Sequence, residues 1–161
     1  MNKKILVEKF KNKLYFLVVE FKFVFDIEED TEWGCRLFGK NKTTGIHVVY
    51  EYKEVYVKVL FFQLENNQII DNINKAIRSN EKILGFSLEH IISFKNPSES
   101  INIIYPSKYD TSVNNDLDIF LNDLKHKIIK YSSEILLGDF SLFDQLEVEV
   151  RKKYKDYYLS R

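Results

Sequence analysis

The sequence has few of the residues that staple or break a chain. Its 161 residues include one cysteine, two prolines and five glycines. A lone thiol, Cys35, excludes an internal disulfide, so nothing points to an oxidising compartment. Scarce Pro and Gly leave little room for a long irregular linker, and a single domain over 1–161 is expected. Charge of one sign is not in excess either. Lys plus Arg and Asp plus Glu stand at 24 each, for a formal net charge of zero. A general nucleic-acid binder draws most of its affinity from phosphate neutralisation and usually carries a basic surplus. The chain also lacks a long apolar run. Leu14 to Val19, its most apolar stretch, is far too short to cross a bilayer. Glu8, Lys9, Lys11 and Lys13 interrupt an N-terminus that otherwise begins like a signal peptide. The expectation is a cytoplasmic protein with no membrane or nucleic-acid partner.

Recognisable chemistry is equally sparse. His47, His90 and His126 lie far apart, and no H-x-x-x-H, paired C-x-x-C or EF-hand spacing occurs. G-x-S-x-G, P-loop and G-x-G-x-x-G motifs are absent. Cys35 falls between Trp33 and Leu37 at strand spacing, which fits a buried, inert thiol better than a nucleophile. No catalytic residue, metal ligand or cofactor is therefore assigned, and a binding protein is expected rather than an enzyme.

What is present is a strong periodic pattern, rich in Phe and Tyr (13 and 10 residues). Residues 4 to 20 place Ile5, Leu6, Phe10, Leu14 and Leu17 at helical spacing. The period then drops to two, with Phe21, Phe23, Phe25 and Ile27 alternating as a half-buried strand. An acidic turn over Glu28 to Glu32 leads to a second strand through Trp33, Cys35 and Leu37. The polar loop from Gly39 to Gly45 precedes two strong strand patterns, Gly45 to Tyr52 and Val55 to Leu64. A tight connection at Tyr52-Lys53-Glu54 makes these a hairpin. Ile69 to Ile77 reads as a strand end or a short helix. Ser87 caps a helix that Asn96-Pro97 ends, and residues 97 to 114 wrap the surface. A long helix follows with Leu117, Phe120, Leu121, Leu124, Ile128, Tyr131 and Ile135 inward. Gly138 stops it, and a final helix starts at Ser141. The predicted class is α+β: an N-terminal helix, an antiparallel meander of about four strands, and C-terminal helices packed on one face of the sheet.

Two constellations carry functional weight. Asp26, Glu28, Glu29, Asp30 and Glu32 place five carboxylates beside the only tryptophan, Trp33. Such an arrangement suits a basic protein partner, with charge steering approach and the ring supplying buried area. A solvated turn accounts for the same residues. The second is Glu51-Tyr52-Lys53, an E-x-K tripeptide on a predicted strand. With Asp26 or Asp30 upstream it is similar to the D…E-x-K core of restriction-type nucleases, in which carboxylates hold Mg²⁺. Solvated strand charges explain it equally well.

Leu136-Leu137-Gly138-Asp139-Phe140-Ser141-Leu142-Phe143, after a long amphipathic helix, resembles the helix junction of small bacterial immunity-type proteins from polymorphic toxin and contact-dependent inhibition loci. The segment from Thr44 to Val57 is similar to their central hairpin. The resemblance implies a binder that neutralises a cognate protein toxin domain, with no catalytic residues to carry over. The alternatives are the metal-dependent nuclease built on Glu51 and Lys53, and a non-catalytic regulatory domain that forms a homodimer through its aromatic strands.

Overall fold

The change of period near Phe21 marks a change of structure. The structure, a computed structural model, describes residues 3–32, 34–51, 56–99 and 114–159. Helix α1 (Lys3–Phe21) precedes strands β1 (Val24–Thr31), β2 (Gly34–Lys40), β3 (Thr44–Glu51) and β4 (Tyr56–Gln63). Helix α2 (Ile73–Arg78), strand β5 (Gly85–Ser87) and helix α3 (Leu88–Lys95) come next, then the long helices α4 (Asn114–Leu136) and α5 (Ser141–Leu159). The sheet runs β1-β2-β3-β4-β5 with every neighbouring pair antiparallel. The α+β class and the meander are as expected, with one strand more. At three residues, β5 is too short to show a period of its own.

Alternation sorts the sheet into two faces. Cys35, Leu37, Ile46, Val48, Tyr50, Val57, Val59 and Phe61 point to one face, and all are buried. The buried stripe of α1, Val7, Phe10, Leu14 and Leu17, meets this face, and Phe10 stacks on Tyr50 with ring centroids 4.5 Å apart. Burial pushes the Tyr50 hydroxyl up to about 12. The inward residues expected of α4, from Leu117 to Ile135, are all buried in the same core. Ile5, expected inward on α1, is instead 47% exposed, because the stripe follows Val7.

The first strand departs from the reading of the sequence. Its register shifts between Phe25 and Ile27, leaving Asp26 as a bulge residue without a partner on β2. The shift reverses the alternation, so Ile27 pairs with Phe38 on the face opposite the core and is 50% exposed. Glu28, Glu29 and Asp30 pair with Leu37, Arg36 and Cys35. They belong to a strand rather than to a turn. The connection expected at Tyr52-Lys53-Glu54 and residues 100–113 of the expected surface wrap lie outside the described residues.

Helix ends follow the expected chemistry. Ser87 is extended (φ −77°, ψ 154°), and its hydroxyl accepts from the His90 amide at 3.3 Å. Gly138 has φ +94°, and its N–H reaches the Ile135 carbonyl while the Asp139 N–H reaches that of Glu134, a paired closure of α4. The start of α5 is capped by Asp139, whose carboxylate accepts from the Ser141 amide at 2.9 Å. That bond holds the Asp139 carboxyl below its ordinary range.

One side chain joins these pieces. The Asn41 amide nitrogen donates to the carbonyls of Phe21 (3.0 Å) and Leu136 (2.9 Å), the last residues of α1 and α4. Its oxygen accepts from the Thr43 and Thr44 amides at 3.0 and 2.8 Å, closing the β2–β3 turn. Fully buried Thr44 adds a hydroxyl bond to the Ile135 carbonyl at 2.7 Å. Asn41→Ala should lower unfolding free energy by about 2–4 kcal/mol, since it strands several polar groups at once. Asn41→Asp keeps the shape and both acceptor bonds but sets a negative charge against two helix C-termini. It should cost about 2 kcal/mol or more, and urea denaturation of both variants checks this. Wild-type stability in Asn41→Asp would show that the two donor bonds contribute nothing.

Candidate functional site

The sheet has two unlike edges. At one end, α5 packs on β5: Phe143 meets Phe86 edge to face at 4.9 Å, and Glu147 accepts from the Ile83 amide at 3.3 Å. At the other end, β1 has no further strand beside it among the described residues. Asp26, Glu28, Glu29, Asp30 and Glu32 are all exposed, as are Val24 (62%) and Ile27 (50%). The register divides the carboxylates. Glu28 and Asp30 share the α1 side, where Glu28 pairs with Lys11 at 2.6 Å, and Glu29 projects from the other face. Trp33, expected as their aromatic anchor, lies outside the described residues. The edge thus combines exposed apolar side chains, carboxylates on both faces and a bulge.

The E-x-K residues do not converge with the upstream aspartates. Asp30 aligns through Cys35 with Tyr50, so it projects from the face opposite to that of its neighbour Glu51. Asp26 sits at the bulge, toward the far end of the strand. Lys53 lies outside the described residues. Among the described residues no group of three His, Cys, Asp or Glu side chains could hold a metal ion. Cys35 is buried, as expected.

Behind the core, the second sheet face is only partly covered. Phe38 and His47 stack there with centroids 3.9 Å apart and rings 12° from parallel. The His47 Nε2 atom is buried and finds no hydrogen-bond partner among the described residues. Burial pushes the imidazole below its ordinary range; Asp71 opposes the shift, while Arg36 and Lys58 add to it. Toward β4 and β5 the chain folds back over this face, and Ile69 lies where a side chain at Gly45 would have to go.

That fold-back encloses a cavity of about 260 Å³ between β4, β5, α2, the start of α3 and Val150 of α5. Leu60, Ile73, Ile77 and Ile83 form its apolar wall, and Lys58, Asp71, Asn74, Glu89 and His90 bring polar groups to it. Lys58 and Glu89 are half-buried, and neither has an ion pair or hydrogen bond among the described residues. Burial raises the Glu89 carboxyl, with Lys58 opposing. The His90 Nδ1 atom is 3.2 Å from the Ser87 hydroxyl. Arg151 fixes the α2 wall, donating to the carbonyls of Ala76 (2.8 Å), Ser79 (2.7 Å) and Glu81 (2.5 Å) while paired with Glu147 at 2.7 Å. Sequence reading missed this site because its polar residues span Lys58 to His90 with no local pattern. The signal closest to it was Ser87, recognisable only as a cap.

Comparison with known proteins returned no family model, curated protein or solved structure that matches this chain. Among the described residues no helix is long and apolar enough to cross a membrane.

The His47 environment gives a pH prediction. A folded-state pKa below the unfolded one means the unfolded chain binds more protons, so stability present above about pH 6.5 is lost as pH falls. The urea midpoint should drop between about pH 7 and pH 5. His47→Phe should reduce that drop, and the His47 ring should titrate by NMR below the ordinary histidine range. A His47 ring that titrates within or above that range would remove the basis for the effect.

Proposed function

We propose that this chain is a non-catalytic, immunity-type protein that binds a cognate protein toxin domain and blocks it, with the open edge of β1 as the contact surface. The observation that carries the reading is the combination on that edge of Asp26, Glu28, Glu29, Asp30 and Glu32 with exposed Val24 and Ile27. An open edge offers backbone groups for pairing, carboxylates select a basic partner, and the apolar side chains supply area that water leaves on contact. The same charges weigh against a second copy at this edge. Two β1 strands side by side would bring carboxylates against carboxylates, and a bulge with charged residues is a common guard against such pairing. The resemblance of the Gly138-Asp139 junction and the β3–β4 segment to immunity-type proteins supports the biological role. A compartment shared with the toxin's cellular target, the cytoplasm, belongs to the same proposal.

The test is co-purification with the product of the adjacent upstream gene, and protection of cells that express it. Complex formation should weaken with salt, and the Glu28→Lys/Glu29→Lys/Asp30→Lys variant should associate about 10- to 100-fold more slowly at low ionic strength. Neither complex nor protection would sink the role. A complex indifferent to the triple variant would move the contact surface away from β1.

A further inference from the structure

We propose that the cavity between β4, α2 and the start of α3 binds a small zwitterion of amino-acid size, its anionic end on Lys58 and its ammonium on Glu89. The inference is independent of the toxin-binding reading, since it rests on residues remote from the β1 edge. Lys58 stands on β4 and Glu89 in the first turn of α3, and both line the same cavity of about 260 Å³. They are half-buried and of opposite sign, yet form no ion pair with each other and no hydrogen bond among the described residues. Opposite charges partly removed from water normally pair, because each otherwise bears an uncompensated loss of solvation. Here Lys58 acts on Glu89 through charge alone, without a direct ion pair, and both stand at the wall of a space that a partner would fill.

The charge arrangement narrows the class of that partner. A simple anion would meet Lys58 but also face Glu89 and Asp71, and a simple amine would meet the carboxylates but face Lys58. A molecule carrying both ends satisfies both groups. Its body then lies against the apolar wall of Leu60, Ile77 and Val150. The volume is just under the usual range for drug-sized ligands, which suits a molecule no larger than an amino acid. The raised carboxyl of Glu89 is consistent with a site already partly shielded from water. The α2 wall is held by Arg151 rather than by its own short helix, so the cavity is formed before a ligand arrives.

Titration of the full chain with glycine, L-leucine and L-phenylalanine, followed by amide NMR, tests the proposal. The single-ended compounds 3-methylbutylamine and 3-methylbutanoate serve as controls. At least one amino acid should give saturable shifts at Lys58, Glu89 and Val150, and both single-ended compounds should bind about tenfold more weakly or worse. Lys58→Met and Glu89→Gln should each weaken binding about tenfold, while Lys58→Arg retains it. If Lys58→Met does not fold, the near-isosteric Glu89→Gln decides alone. No saturable shift with any of the three amino acids would overturn the inference. So would single-ended compounds that bind as tightly, or unchanged affinity in Glu89→Gln.

Discussion

The Asn41 carboxamide is the point on which the architecture closes. Both of its N–H donors are used, and its oxygen accepts from the Thr43 and Thr44 amides and, at 3.4 Å, from the Thr43 hydroxyl. Its partners are the last carbonyl of α1, the last carbonyl of α4 and two amides of the β2–β3 turn. Helix C-termini leave carbonyls without intrahelical partners, so each helix needs something at that place. A carboxylate could not donate, and a hydroxyl could not span three segments. Thr44 and Gly138 depend on the same arrangement: Thr44 ties Ile135 to the sheet, and a side chain at Gly138 would collide with Thr43. The turn, both helix ends and the α4–α5 corner are therefore one polar knot at the rim of an apolar core.

Away from that knot, the two edges of the sheet solve one problem differently. An edge strand exposes backbone groups that invite pairing with another chain. At β5, the aromatic pair Phe86 and Phe143 brings a helix over the strand. At β1, the Asp26 bulge and the carboxylates discourage indiscriminate pairing. The bulge also turns Ile27 away from the core toward Phe38, placing an apolar side chain among the acidic ones.

Much of this order was legible because it is periodic. The inward stripe of α4 and the alternation of β3 and β4 are read directly from spacing, and Gly138 and Ser87 act through local backbone geometry that their residue types announce. What escaped was non-local. The bulge carries no glycine, and only pairing with β2 reveals that Asp26 is the extra residue. Glu28 to Asp30 read as a turn because charge runs usually are turns, yet their partners on β2 hold them extended. Asn41 looked like one polar loop residue among several, since its two donor bonds go to residues 20 and 95 positions away. The cavity was invisible for the same reason. Lys58 and Glu89 become neighbours only through the pairing of β4 with β5.

The long reach of the Asn41 bond to Leu136 also sets a clock. The α1–β4 segment can pair its strands as soon as it is synthesised, for its contacts are mostly local. The carbonyl that completes the knot follows Asn41 by 95 residues. At about 5–20 residues per second, that interval is about 5–20 s. Until α4 is complete, Asn41 and Thr44 lack their partners at Leu136 and Ile135. The nascent sheet is thus a timed vulnerability at both edges, since α5, which covers β5, is synthesised later still.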